Sequence, residues 1–383
     1  MNIGFITTEY TSSHFKGRVG GIGVFTKSIA NQLVNKGHKV CVFVYGQDKN
    51  KIYSESSIKI HFVKSRKIKG FTRILTRKHF NTYVNKVIKE EKIEIIEAPE
   101  WGGITAFMSF KCPLILRLHG SDTFFCHLEK RKQKKKNFYF EKKALQQADG
   151  IIAVSEFVKT KTIELFKLSK QISVVHNTVD VSIFKPDHSN INPKTILYFG
   201  ALIRKKGVLE LPKIFNKVTA LDSGFRLILI GKNVHDIVEN KSTKDLFIEQ
   251  LSQENREKVS FINHLPQEEL YSQIRSAEIV VLPSFAEAFP LTWLEAMAME
   301  KKLVTSNIGW AKELMIDEKT GYMVSPTNHE TYAKKIISLQ KNSKLGEEMA
   351  MNARNRIEKE FNLNTIMNRN VALYTQICKE NDI

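Results

Sequence analysis

Along the chain, short and nearly continuous apolar runs alternate with longer stretches in which apolar residues recur at three- and four-residue intervals. In the first half the short runs are Ile3–Ile6, Val40–Val44, Ile93–Ile96, Leu114–Leu118, Ile151–Val154 and Ile172–Val175. In the second half they are Ile196–Phe199, Arg226–Ile230, Val259–Ile262, Ile279–Leu282 and Leu303–Thr305. Runs this short, without a polar face, predict strands covered on both sides. The helical stretches between them predict parallel sheets wound with helices. Ile22, Phe25, Ile29 and Leu33 form the stripe of a first helix over Ile22–Lys36, closed by Gly37. A last helix is predicted over Asn362–Lys379. The alternation breaks at Phe184–Pro193, where two prolines stand among turn formers and predict an interdomain linker. The fold class expected is therefore α/β, with a first domain over 1–185 and a second over 194–361.

Composition narrows the classes. No apolar run reaches the roughly 18 residues of a membrane-spanning helix, and the first residues read as a strand rather than a signal peptide. Cys41, Cys112, Cys126 and Cys378 stand at no metal-ligand spacing, as reduced cytoplasmic thiols would. The net charge of +19 calls for an anionic partner: a membrane surface, nucleic acid or phosphorylated ligands. Much of it is concentrated in two first-half runs, Lys64–Lys78, which has no acid, and Glu129–Lys143.

In wound α/β sheets, ligands meet the carboxyl ends of strands, where helix N-termini offer free N–H groups to anions. Two such places stand out. Gly17-Arg18-Val19-Gly20-Gly21-Ile22-Gly23 follows the first strand and opens the first helix, although its spacing is not the dinucleotide fingerprint. Strand Ile279–Leu282 runs into Pro283–Pro290 and a helix over about Leu291–Met299, with Pro290 in its first turn. The N–H groups of Leu291, Thr292 and Trp293 would then face an anion such as a diphosphate. Glu287 before the helix start and Glu295 one turn inside it bring two carboxylates beside that anion. Carboxylates there would accept hydroxyl donors, and hydroxyls on both sides of a diphosphate describe a nucleotide sugar.

Pro283-Ser284-x-x-Glu287-Ala288-Phe289-Pro290-Leu291-x-x-Leu294-Glu295-Ala296-Met297-Ala298 closely resembles the signature of family 4 glycosyltransferases. The likeness extends through Gly20–Gly23, Pro99–Gly103, Val154–Phe157, Asn177–Pro186, Gly200–Gly207, Gly309-x-x-x-Glu313 and Thr320-Gly321. The resemblance implies the two-domain type called GT-B, two Rossmann-like domains facing each other across a cleft. It also implies a C-terminal helix, 362–383, that packs back on the first domain. Its implied donor site comprises Gly20, Gly21, Gly23, Arg204, Lys206, Phe289, Leu291, Thr292 and Glu295. Glu295 would hold ribose hydroxyls, Glu287 the donor hexose, and Lys206 the departing diphosphate. His119, in Leu118–Asp122, matches the family's active-site histidine. The implied catalytic set is thus His119, Glu287 and Lys206. Family members often carry Arg where Ala201 stands, which leaves open whether Arg204 reaches the phosphate instead.

The activity implied is transfer of a hexose-type sugar, with retention, from a nucleotide-diphosphate sugar to a saccharide or lipid-linked acceptor in surface polysaccharide or glycolipid synthesis. The sequence contains no Asp-x-Asp, so catalysis is expected to need no metal and no cofactor beyond the donor. The chain is expected to be cytoplasmic and peripheral at the inner face of the plasma membrane. Ile68–Lys78, which interleaves apolar and basic residues, would be the interfacial segment. Two rivals are a nucleotide-sugar epimerase of similar fold and a basic nucleic-acid-binding protein. Against the second, the chain lacks zinc-finger spacing, a helix-turn-helix cue and aromatic RNA-binding motifs, so nucleic acid is not an expected partner.

Overall fold

The computed structural model describes residues 1–17, 19–66, 69 and 72–381. Its strands are β1 Asn2–Thr7, β2 Lys39–Gln47, β3 Lys51–Glu55, β4 Ile58–Lys64, β5 Ile95–Pro99, β6 Leu114–Leu118, β7 Gly150–Ala153 and β8 Ser173–Val174, followed by β9 Asn192–Phe199, β10 Arg226–Ile230, β11 His235–Asp236, β12 Lys241–Ser242, β13 Val259–Ile262, β14 Ala277–Leu282, β15 Lys302–Ser306 and β16 Tyr322–Val324. Between them run helices α1 Gly21–Asn35, α2 Thr72–Glu91, α3 Asp122–Leu128, α4 Lys135–Gln147, α5 Glu156–Phe166, α6 Leu211–Leu221, α7 Thr243–Glu249, α8 Gln267–Ser276, α9 Leu291–Ala298, α10 Ala311–Leu314, α11 His329–Lys341, α12 Ser343–Glu360 and α13 Leu363–Glu380. Among the described residues no helix is long and apolar enough to cross a membrane.

The chain forms two compact units, Met1–His176 with the residues from Asn364 onward, and Asn177–Leu363. The first unit holds an eight-stranded sheet in the order β3-β4-β2-β1-β5-β6-β7-β8, parallel except for the β3–β4 hairpin. The second holds a parallel six-stranded sheet in the order β13-β10-β9-β14-β15-β16. The central strands are buried on both faces, as their unbroken apolar runs require: Ile95, Ile96, Ile115, Leu116, Ile151 and Ile152 in one unit, and Leu197, Leu227, Val280, Val281 and Val304 in the other.

The changeover between units falls at His176/Asn177, nine residues before the expected bound at 185. The segment after His176 is fastened to the second unit. Asn177 Nδ2 donates to the Phe289 carbonyl at 2.9 Å, and the Thr178 hydroxyl donates to the Phe361 carbonyl at 2.5 Å. Val179 bridges to Asn362, and the Arg354 guanidinium donates to the Phe184 carbonyl at 2.8 Å. Proline marks where the chain turns, whereas these bonds decide which core it joins.

Helix α13 returns to the first unit. Arg117 on β6, fully buried, pairs with Glu97 on β5 through Nε and Nη2 at 2.7 and 2.8 Å. The same guanidinium donates to Asn370 on α13, whose neighbour Tyr374 donates its hydroxyl to Glu97. A buried charge is tolerable only when paired and hydrogen-bonded, and α13 completes that pairing.

Candidate active site

In each sheet the chain reverses its winding direction once, beside β1 and β5 in the first and beside β9 and β14 in the second. Ligands of wound sheets bind at the carboxyl ends of such strands. The second unit places Gly200–Gly207 and Pro283–Leu291 there, and the first places Thr7–Gly23 and Pro99–Asp122.

In the second unit the loop after β9 and the loop after β14 are joined backbone to backbone. The Lys205 carbonyl accepts the N–H groups of Phe285 and Ala286 at 2.8 and 3.2 Å. Gly207 takes φ +69° and approaches Pro283 so closely that a Cβ would lie 1.9 Å from its carbonyl oxygen. This contact fixes Lys206, whose Nζ lies 2.8 Å from Glu287 Oε1. The Ser284 hydroxyl donates to the same oxygen at 3.2 Å. A cation and a hydroxyl-accepting carboxylate are therefore adjacent at one strand end, ahead of α9.

Pro290 is the residue before α9 rather than part of its first turn, with ψ 123°. Its position still leaves the helix start without a side-chain cap and without an acid in its first turn. Leu291 and Thr292 are half-buried there, while Trp293 is buried and packs against Trp310. Glu295 lies one turn on. Burial pushes its carboxyl up to about 7, against the pull of the Lys206 ammonium.

Two sequence-derived donor residues, Arg204 and Phe289, have partners within the protein. Arg204 turns to β11, where Nε and Nη2 contact Asp236 at 2.8 and 3.0 Å and hold the short β11–β12 hairpin. The fork of the guanidinium matches a carboxylate in plane, and here that carboxylate is Asp236. Phe289 is buried, its ring against Phe361 and its carbonyl accepting from Asn177. Both contacts brace the loop ahead of α9.

In the first unit, Gly20 precedes α1 in extended conformation and Gly21 is exposed. The Gly23 N–H donates to Glu9 Oε1 at 2.9 Å, so the chain's own carboxylate sits at this helix start. An anion held by Gly20, Gly21 and Gly23 would face Glu9. Arg18 lies outside the described residues.

His119 directly follows β6, and its backbone N–H donates to Glu100 Oε2 at 3.0 Å. Its ring meets the edge of Phe25 with centroids 4.6 Å apart, and Phe25 in turn lies under the Arg117 guanidinium. Burial, with Arg117 nearby, lowers the imidazole to about 3, so it is neutral at physiological pH. Glu100 is fully buried and pushed up to about 8 by burial. The following turn is held by Glu141 of α4, which accepts the N–H groups of Gly102, Asp122 and Thr123 and the Thr123 hydroxyl. Glu9, Glu100 and Glu141 received no role from the sequence, although Glu100 lies inside a motif that the resemblance rests on. Among the described residues no group of three or more His, Cys, Asp or Glu side chains is placed to hold a metal ion.

Residues 182–356 match the glycosyl transferases group 1, and residues 19–183 match Glycosyltransferase Family 4. An uncharacterized glycosyltransferase of Methanocaldococcus jannaschii is 22% identical, with 98% of each chain covered. Among solved structures, sucrose-phosphate synthase from Thermosynechococcus elongatus superposes with a TM-score of 0.78 at 19% identity, covering 98% of each chain. Anabaena HepE in complex with UDP and glucose superposes with a TM-score of 0.77 at 19% identity, covering 98% of this chain and 99% of that one. These likenesses give the fold, GT-B with its two parallel-sheet domains. The two matches together run from residue 19 to residue 356, and the chain belongs to the group 1, or family 4, glycosyltransferases.

Proposed function

We propose that the chain moves a hexose-type sugar from a nucleoside-diphosphate sugar to a hydroxyl of a saccharide or lipid-linked acceptor, with retention and without a metal, on the cytoplasmic side of the membrane. The observation that carries this reading is the Lys206–Glu287 pair at 2.8 Å beside the uncapped start of α9. A diphosphate fits an ammonium and free helix N–H groups, and a sugar's hydroxyls fit the carboxylate bound to the same ammonium. Glu295, one turn further, is the acceptor for a second set of hydroxyls, those of a ribose. As the glycosidic bond to the diphosphate lengthens, negative charge grows on the phosphate oxygen, and Lys206 with the α9 N–H groups stabilises it. The neutral imidazole of His119 offers a hydrogen bond in the first unit without adding charge. Surface polysaccharide or glycolipid assembly is the setting proposed.

The test is a thermal-stability screen of the purified chain against UDP, GDP, ADP and their sugar conjugates, followed by turnover with the stabilising donor. A ligand at 100 times its Kd stabilises by about 2.7 kcal/mol, which a melting curve resolves. The expected result is one preferred nucleotide, turnover that survives EDTA, and a product with the donor's anomeric configuration. Conversion of the donor alone with no sugar transferred would replace this reading with an epimerase. Stabilisation by RNA or DNA and by none of the nucleotides would remove the site.

A further inference from the structure

The charge of the chain belongs almost entirely to one unit. Met1–His176 with the residues from Asn364 on contains 34 Lys and Arg against 16 Asp and Glu, or +18, whereas Asn177–Leu363 contains 25 against 24, or +1. A phosphate-bearing donor held in the second unit does not account for that excess.

The expected interfacial segment, Ile68–Lys78, accounts for part of it at most. Ile68, Gly70 and Phe71 lie outside the described residues. Arg77 is only 8% exposed and donates to the carbonyls of Gly103, Ile104 and Ala106, so it anchors a loop and is unavailable to a membrane. At the start of α2 Thr72 and Ile74 are exposed, Ile74 at 65%, with Arg73 half-buried between them and Lys78 exposed one turn on.

Arg73 points instead to a second basic run. Its guanidinium lies over the Phe140 ring of α4, 4.1 Å from the centroid. Around Phe140 stand Tyr139 and Phe107, with centroids 6.0 and 5.8 Å away, and Lys143 lies over Phe107. Tyr139 and Phe107 are 57% and 53% exposed, so two aromatic rings stand in solvent side by side. Lys136, Tyr139 and Lys143 share one face of α4 by helical spacing, with exposed Lys130, Lys132, Lys134 and Lys135 leading into it.

Phe107 is also held out at a conformational cost. Its φ is +63°, a region that bulky side chains avoid, and its N–H is tied to Gln147 Oε1 at 2.8 Å. A strained backbone that exposes an apolar ring gains nothing from folding alone. On its inner face α4 carries Glu141, which holds the turn after His119, so the helix links this outer surface to the candidate site of the same unit.

The geometry points to a docking surface for an anionic phospholipid bilayer, formed by Phe107 and Tyr139 with Ile74 as apolar anchors and by Arg73, Lys135, Lys136 and Lys143 around them. The occupant follows from the chemistry: rings that enter the interfacial region, ringed by cations that meet lipid phosphates. A nucleic acid would use the cations and leave the aliphatic and strained apolar residues without a purpose. The surface stands independently of the sugar transfer proposed above, since it is read out by binding alone.

The test is co-sedimentation of the full chain with vesicles of equal parts phosphatidylglycerol and phosphatidylcholine, and with pure phosphatidylcholine, at low salt. Binding to the anionic vesicles only is expected. Lys135→Glu with Lys136→Glu should weaken it by about 25-fold or more, from roughly fivefold per lysine lost. Phe107→Gly with Tyr139→Ser should weaken it about tenfold, while the melting temperature of Phe107→Gly alone stays level or rises because the strain is relieved. Ile237→Ser with Val238→Ser, an exposed apolar pair in the other unit, should leave binding unchanged. Failure of the parent chain to sediment with anionic vesicles would overturn the inference. So would loss of binding in the lysine variant alone with the aromatic variant unaffected, which would mark a general polyanion site.

Discussion

Glu9 Oε1 accepts the backbone N–H of Gly23 at 2.9 Å, so the glycine-rich turn at the start of α1 is already occupied by a carboxylate. Capping of this kind contributes about 1 kcal/mol. Glu9→Ala should therefore lower the melting temperature by a few degrees. Nucleotide affinity should change little, because an anion at this helix start would face the Glu9 carboxylate. Tighter nucleotide binding in the variant, measured by titration calorimetry, would show instead that Glu9 yields its place to an anion. Gly23→Ala is the harsher change. Its Cβ would lie 2.8 Å from Val19 Cγ1 and 3.2 Å from the Glu9 carbonyl oxygen.

The Lys206–Glu287 pair separates two roles. On the proposed function, Lys206→Met removes the cation that would meet developing phosphate charge, and loss of one such group costs about 100- to 1000-fold in kcat. Glu287→Gln keeps a hydrogen-bonding partner for Ser284 while removing the charge. It should lower turnover at least about 100-fold and change the Kd for the bare nucleotide less than threefold. Steady-state kinetics with calorimetry on both variants checks this. Equal losses in turnover and nucleotide binding for Glu287→Gln would move that residue away from the sugar.

Much of the fold was legible because strand burial on both faces writes itself as unbroken apolar runs. Leu114–Leu118, Arg226–Ile230 and Val259–Ile262 match their strands end to end. The β3–β4 hairpin was not read. Its turn residues Ser56 and Ser57 take φ +50° and +63°, positions that Asn and Gly usually announce. Glu287 and Glu295 were singled out by their spacing about a helix start, and Lys206 and His119 by the family resemblance. Arg204 and Arg77 could not be placed that way, since a basic residue in a loop or an amphipathic run reads alike whether it meets a ligand, a bilayer or a neighbouring carbonyl. Glu100 and Glu141 act through hydrogen bonds to backbone N–H groups distant in sequence, and such partners leave no local pattern.

Arg117 tests the attachment of α13. With Glu97 buried beside it, Arg117→Met leaves a carboxylate whose remaining partner is the Tyr374 hydroxyl. Breaking a buried pair by removing one partner costs about 3–5 kcal/mol. A melting curve of the variant should show that loss, and limited proteolysis should cut within α13 before the rest of the chain. Replacing both charges together, as Arg117→Met with Glu97→Gln, should recover part of the stability. A loss under about 1 kcal/mol in the single variant would mean that the helix is held by its apolar face alone.

Glu295 and Glu100 give a pH dependence of definite sign. Burial raises Glu295 from 4.5 to about 7 and Glu100 from 4.5 to about 8. Between the ordinary and the raised values the folded chain keeps a proton that the unfolded chain has released. Stability therefore falls as pH rises from about 4.5 to about 8 and is level with respect to these groups above that. His119, lowered from 6.5 to about 3, acts in the other direction, and its contribution is lost as pH falls below 6.5. Glu100→Gln should flatten the decline between pH 6 and 8 in chemical denaturation, and His119→Asn should flatten the rise below 6.5. On the proposed function, nucleotide binding should follow Glu295 separately. A carboxylate accepts two ribose hydroxyls and a carboxylic acid does so less well, so affinity should increase as pH passes upward through 7. Glu295→Gln should bind more weakly at pH 8 and lose most of that increase, with the nucleotide's own phosphate titration left as the common background. An unchanged pH profile in Glu295→Gln would place the ribose elsewhere.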